Sequence, residues 1–131
     1  MMNERTLPAV PETNGDWITV CRHDDIVPDT GVCALVQGRH VAVFRIDADD
    51  AKVFAIDNVD PRSHASVLSR GLTGSLGGRV VVASPLYKHH FDLRTGECLE
   101  EPRWSVSSYD ACVVSGDVMV RLKGSEKDSE A

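Results

Sequence analysis

Short apolar runs rich in Val, Ile and aromatic residues, each cut off within a few positions by Gly, Pro, Asn or Asp, succeed one another from Trp17 to Leu122. No stretch in that span holds apolar residues at helical spacing between caps, so the chain is read as all-β. Strands are expected at 17–21, 32–36, 40–46, 52–56, 79–83, 90–93, 105–114 and 118–122. The glycines of Gln37-Gly38, Arg94-Thr95-Gly96 and Ser115-Gly116-Asp117 can take positive φ, which predicts antiparallel pairing across those turns. Alternation is imperfect along 52–57 and 118–122, as in strands closed into a small barrel or packed in a two-sheet sandwich. Two longer segments, 58–78 and 84–89, interrupt the pattern, and loops on a rigid β scaffold are where function is sought. Within the first, Gly74-Ser75-Leu76-Gly77-Gly78 lacks the Gly-Lys-Ser/Thr ending of a phosphate cradle and is read as a flexible connector.

A chain of 131 residues has room for one core. The domain is placed at 16–123, with tails at 1–15 and 124–131 that carry no apolar periodicity and are expected to be mobile. The formal charge of −6 has the wrong sign for gripping nucleic acid or anionic lipid. Runs such as Val32-Cys33-Ala34-Leu35-Val36 fall far short of the roughly 20 residues that cross a bilayer, so no membrane partner is expected. The start, Met1-Met2-Asn3-Glu4-Arg5, has no cationic and apolar export pattern, and a cytoplasmic location is expected. Cys21, Cys33, Cys98 and Cys112 form no C-x-x-C pair. No disulfide framework is expected, and Cys21, Cys33 and Cys112 are read as small buried hydrophobes.

The loop Ser84-Pro85-Leu86-Tyr87-Lys88-His89-His90-Phe91-Asp92-Leu93-Arg94-Thr95-Gly96, together with Asn58-Val59-Asp60-Pro61 and Val67-Leu68-Ser69-Arg70-Gly71, resembles the Rieske ferredoxin family. In that family a C-x-H loop and a C-P-x-H loop hold a 2Fe–2S cluster, with two thiolates on one iron and two imidazoles on the other. Matched on Pro85, Phe91, Asp92 and Gly96, the ligand positions fall at Asn58, Asp60, Ser84 and Tyr87. An amide, a carboxylate, a hydroxyl and a phenol are hard or weak donors, so no cofactor is expected in this chain. Cys21-Arg22-His23 spells C-x-H, but it lies before the matched loop and has no C-x-x-H companion.

A cluster-free version of this fold is similar to the small subunit of NAD(P)H-dependent nitrite reductase, with likeness from Trp17 to Leu122. Ser84-Pro85-Leu86-Tyr87-Lys88, standing where ferredoxins have Cys-Pro-x-His-Gly, is its most specific piece. The resemblance implies a large catalytic partner bearing FAD, an iron–sulfur centre and sirohaem, which reduces nitrite to ammonia. It also implies a supporting, non-redox role for this chain. The alternatives are a free-standing binding or regulatory module and a redox carrier.

Residues 58–97 carry five basic side chains (Arg62, Arg70, Arg79, Lys88, Arg94) against three acidic ones (Asp60, Asp92, Glu97), a net +2. The remainder has nine against seventeen, a net −8. Arg62, His64, Tyr87, Lys88 and His89 are therefore the expected partner contacts on the less acidic end, the alternative being a solvated loop surface. Tyr87 is otherwise read as a plug for the space a cluster would fill. Asp60, His64, His89 and His90 have donors for a metal, but adjacent histidines on extended chain point to opposite faces, so they are read as hydrogen-bonding or partner-contact residues. Ser84 and Cys98 lack an oxyanion-hole or nucleophile-elbow pattern, and no catalytic residue is expected. Asp60, extended before Pro61, is expected to accept backbone N–H groups within its loop, and Asp92 to Gly96 to form a tight turn.

Overall fold

The computed structural model describes residues 16–122; the expected tails at 1–15 and 124–131, and the last expected domain residue, Lys123, lie outside them. Nine strands are present: β1 (Ile18–Arg22), β2 (Thr30–Val36), β3 (Arg39–Arg45), β4 (Val53–Asp57), β5 (Leu72–Leu76), β6 (Arg79–Ala83), β7 (His90–Asp92), β8 (Ser108–Val114) and β9 (Asp117–Arg121). Six form an antiparallel sheet in the order β1-β9-β8-β4-β3-β2, and its two edge strands approach each other, so the sheet nearly closes into a barrel. The other three form a small sheet, β5-β6-β7. Among the described residues no helix is long and apolar enough to cross a membrane.

The turns follow the glycine chemistry. Gln37 and Gly38 have φ of 50° and 83°, Ser115 and Gly116 have 53° and 86°, and both pairs close two-residue hairpins whose twist matches that of the flanking strands. Imperfect alternation has the expected cause. On β3, Val41 and Val43 face the barrel interior with Val36, Val53, Val118 and Val120, while Ala42 and Phe44 face a second core. That second core holds Phe54, Ile56, Leu68, Val82, Phe91 and Leu93 and lies between the barrel wall and the small sheet. A strand buried on both faces cannot alternate apolar with polar.

Two expectations are corrected. The segment read as a flexible connector is β5 with a Gly77-Gly78 turn, at φ of 57° and 81°, that pairs it with β6. Leu72-Thr73-Gly74-Ser75-Leu76 is mostly exposed, so its strand is set by ladder hydrogen bonds and turn geometry and leaves little trace in apolar patterning. Cys33 is exposed, because it alternates with Val32 and Ala34, which pack on the barrel core. Cys21 and Cys112 are half-buried, and burial raises both thiols above the ordinary cysteine value. The fully buried cysteine is Cys98.

Candidate functional site

Three of the four ligand-equivalent positions converge beneath the loop end. Asn58 follows β4, and its N–H donates to the His40 carbonyl at 2.9 Å. Its Oδ1 accepts from the Ser69 N–H at 2.6 Å, and its Nδ2 donates to Ser66 Oγ at 2.7 Å, which ties the loop's return to its start. Asp60 is fully buried and accepts from the Ser84 hydroxyl at 2.5 Å through Oδ2. Its Oδ1 accepts from the Arg62 N–H at 2.7 Å and faces the Ser63 N–H at 3.4 Å, as expected for an aspartate bracing its own loop. Burial opposes ionisation of Asp60, but the Ser84 hydroxyl, the two backbone N–H groups and nearby His89 outweigh it and hold the carboxyl below the ordinary carboxylate value.

One turn is built three times. The N–H of His64 donates to the Asp60 carbonyl, that of Lys88 to the Ser84 carbonyl and that of Gly96 to the Asp92 carbonyl. In each case the first residue's side-chain oxygen also accepts a backbone N–H two residues on, from Arg62, Leu86 and Arg94 respectively. The fifth residue closes each turn in the left-handed region, with φ of 67° at His64, 66° at Lys88 and 84° at Gly96. At Gly96 a Cβ would stand 2.0 Å from the Val106 carbonyl oxygen, so only glycine fits. The third turn is marked in the sequence by its glycine, whereas Asp60-Pro61 and Ser84-Pro85 begin the same turn and close it on a histidine and a lysine, which carry no such mark.

The aromatic residues are arranged differently from expectation. Tyr87 is half exposed and is no plug. His89 takes the interior place, with its side chain only 5% exposed and its ring 5.1 Å from Phe91 and 5.4 Å from Trp104, centre to centre. It is therefore unavailable as a surface contact. His89 Nε2 lies 3.6 Å from Asp60 Oδ1, beyond hydrogen-bond reach, and neither ring nitrogen has a partner. The two histidines do face opposite ways, for His90 Nδ1 meets Glu100 at 2.6 Å. That parity was the available signal: His89 and Phe91 share a face. Arg62 lies over the Tyr87 ring at 4.2 Å and near that of Trp104 at 5.0 Å, a grouping of distant residues that no local pattern announces. His64 and Lys88 are exposed as expected.

These residues do not suit a 2Fe–2S cluster. Asn58, Asp60 and Ser84 are hard donors already engaged with the protein, two of them with each other, and Tyr87 stands outside under a guanidinium. No group of three or more His, Cys, Asp or Glu side chains that could hold a metal ion occurs among the described residues.

The scaffold nevertheless matches that of cluster proteins, since the Rieske-like 2Fe–2S domain family matches residues 16–121. The nitrite reductase (NADH) small subunit of Salmonella typhimurium is 51% identical over 105 residues, covering 80% of this chain and 96% of that protein. The chain belongs to the Rieske-like nitrite reductase small subunits. The solution structure of the NAD(P)H nitrite reductase small subunit from Erwinia carotovora superimposes with a TM-score of 0.70 at 50% identity and covers 81% of each chain. A nitrite reductase NAD(P)H large subunit from Klebsiella oxytoca is 38% identical over 113 residues, 86% of this chain but 11% of that protein. In this chain the side chains at three of the four ligand-equivalent positions are bonded within the fold.

Proposed function

We propose that this chain is a non-redox small subunit of a cytoplasmic NAD(P)H-dependent nitrite reductase. Nitrite is reduced to ammonia in a large partner chain that carries FAD, an iron–sulfur centre and sirohaem. The observation that carries the non-redox reading is the bond from Ser84 to Asp60, which joins two ligand-equivalent positions from the two loops directly to each other. Asn58 clasps its loop through Ser66 and Ser69, so the chain's own residues maintain loop shape without iron. All four cysteines are free thiols, which accords with a reducing compartment.

The test is nicotinamide-linked nitrite reduction by the large subunit with and without this protein, alongside iron and acid-labile sulfide assays of the protein alone. Iron-free protein that restores activity, cofactor content or assembly of the large subunit supports the reading. Stoichiometric iron and sulfide would instead establish a redox carrier, and a large subunit indifferent to the protein would leave it a module acting elsewhere.

A further inference from the structure

We infer that Val59, Arg62, Leu86, Tyr87 and Lys88, the exposed tips of the two loops, form the face that docks on the large nitrite reductase subunit, and that the surface they meet is acidic around an apolar recess. This rests on the small-subunit reading above and specifies its contact.

Apolar side chains are displayed here from a stiff base. Val59, Leu86 and Tyr87 are 37%, 49% and 46% exposed, yet the backbone beneath them is anchored by buried Asn58, Asp60 and Ser84. Side chains held in place before contact lose little freedom on binding, and Tyr and Arg are the residue types that most often dominate an interface. Arg62 adds a flat cation laid across Tyr87. Arg22, Arg45, Arg79, Arg94, Arg103 and Arg121 each pair with a carboxylate. Neither Arg62 nor Lys88 has one within 4.0 Å among the described residues, so two positive charges stand ready for a partner's carboxylates. The nearby Glu100 and Glu101 are engaged by His90 and Arg103. This end also escapes the chain's acidity, with net +2 over 58–97 against −8 elsewhere.

The large subunit is chosen as occupant because the Klebsiella oxytoca large subunit contains a stretch similar to this chain within its own length. In that protein the similar stretch and the remaining chain are tethered in one polypeptide, which keeps them close enough to meet. Leu35 on β2 and Leu72 on β5 are exposed apolar side chains outside the two loop tips, and they serve as controls.

Affinity for the purified large subunit is measured for the full chain and for Tyr87→Ala, Leu86→Ser, Arg62→Ala, Lys88→Glu, Leu35→Ser and Leu72→Ser, each checked for an unchanged circular dichroism spectrum. Tyr87→Ala and Arg62→Ala are expected to weaken binding more than about tenfold. Lys88→Glu should lower affinity several-fold, mainly through slower association, and flatten its dependence on salt. The two controls should stay within about twofold of the parent. Loop-tip variants that bind like the parent, or controls that lose binding instead, would overturn this face while the small-subunit reading stands. A parent protein that fails to bind the large subunit at all would overturn both.

Discussion

The barrel interior and the loop end are both buried, but they are held by different forces. Inside the barrel Val36, Val41, Val43, Val53, Val118 and Val120 meet one another, and the main polar atom is the Tyr109 hydroxyl, which donates to Asp57 and accepts from Arg39. At the loop end Asn58, Asp60, Ser84 and His89 are buried together, and the shape of the chain follows from the hydrogen bonds that the first three make. Apolar burial is non-directional and tolerates exchange at constant volume, whereas a buried hydrogen-bond network loses stability as soon as one member is missing. The difference between the two regions should therefore appear in how they fail.

The largest effect is expected from the apolar side. Ile26 is fully buried against the barrel core, so Ile26→Ala should cost about 4 kcal/mol. Removal of apolar carbon is indifferent to protonation, and chemical denaturation should return the same deficit at neutral and mildly acidic pH. At the loop end, Asp60→Ala leaves the Ser84 hydroxyl and the Arg62 N–H without their acceptor and should cost about 3 kcal/mol. Its signature should differ, with amide protons of 58–66 and 84–89 exchanging faster while those of β3 and β9 keep their protection.

Acid separates the regions further. The folded-state value of Asp60 lies below its ordinary value, so its contribution is fully present above about pH 4 and is lost as pH falls through the folded value. Asp60→Asn preserves the carbonyl acceptor but carries no charge. Its melting temperature should therefore fall less than the parent's between about pH 5 and about pH 3. Parallel curves for the two proteins would remove Asp60 from the acid response. The barrel has its own titrating group at the opposite extreme: burial and the Asp57 contact push the Tyr109 phenol up to about 12. Tyr109→Phe should accordingly change stability by a similar amount from pH 6 to pH 10, as read by denaturation at each pH.

The same contrast explains what could be read in the sequence. Barrel strands were legible because apolar burial writes itself as runs of Val and Ile, and Gly38 and Gly116 mark where those runs turn back. The loop end was legible only through likeness to a known family, which located Asn58, Asp60, Ser84 and Tyr87 but not which of them enter the interior. That choice depends on parity along 84–91, where a shift of one position exchanges His89 for a neighbour. Strand β5 escaped because Leu72-Thr73-Gly74-Ser75-Leu76 buries little, and the stack of Arg62 on Tyr87 and Trp104 depends on tertiary approach.

Lys88 gives the finest discrimination between fold and surface. Its φ of 66° closes the turn from Ser84 in a region where a side chain is strained and glycine is not. Relief of that strain exceeds the extra freedom glycine brings to the unfolded chain, so Lys88→Gly should stabilise the protein by about 0.5–1 kcal/mol and raise its melting temperature by a few degrees. If the lysine is kept for its charge at the loop tip, the more stable variant should also bind the large subunit less well. Stability and affinity would then move in opposite directions on one substitution, and a variant that gained both would show that Lys88 contributes nothing at the contact.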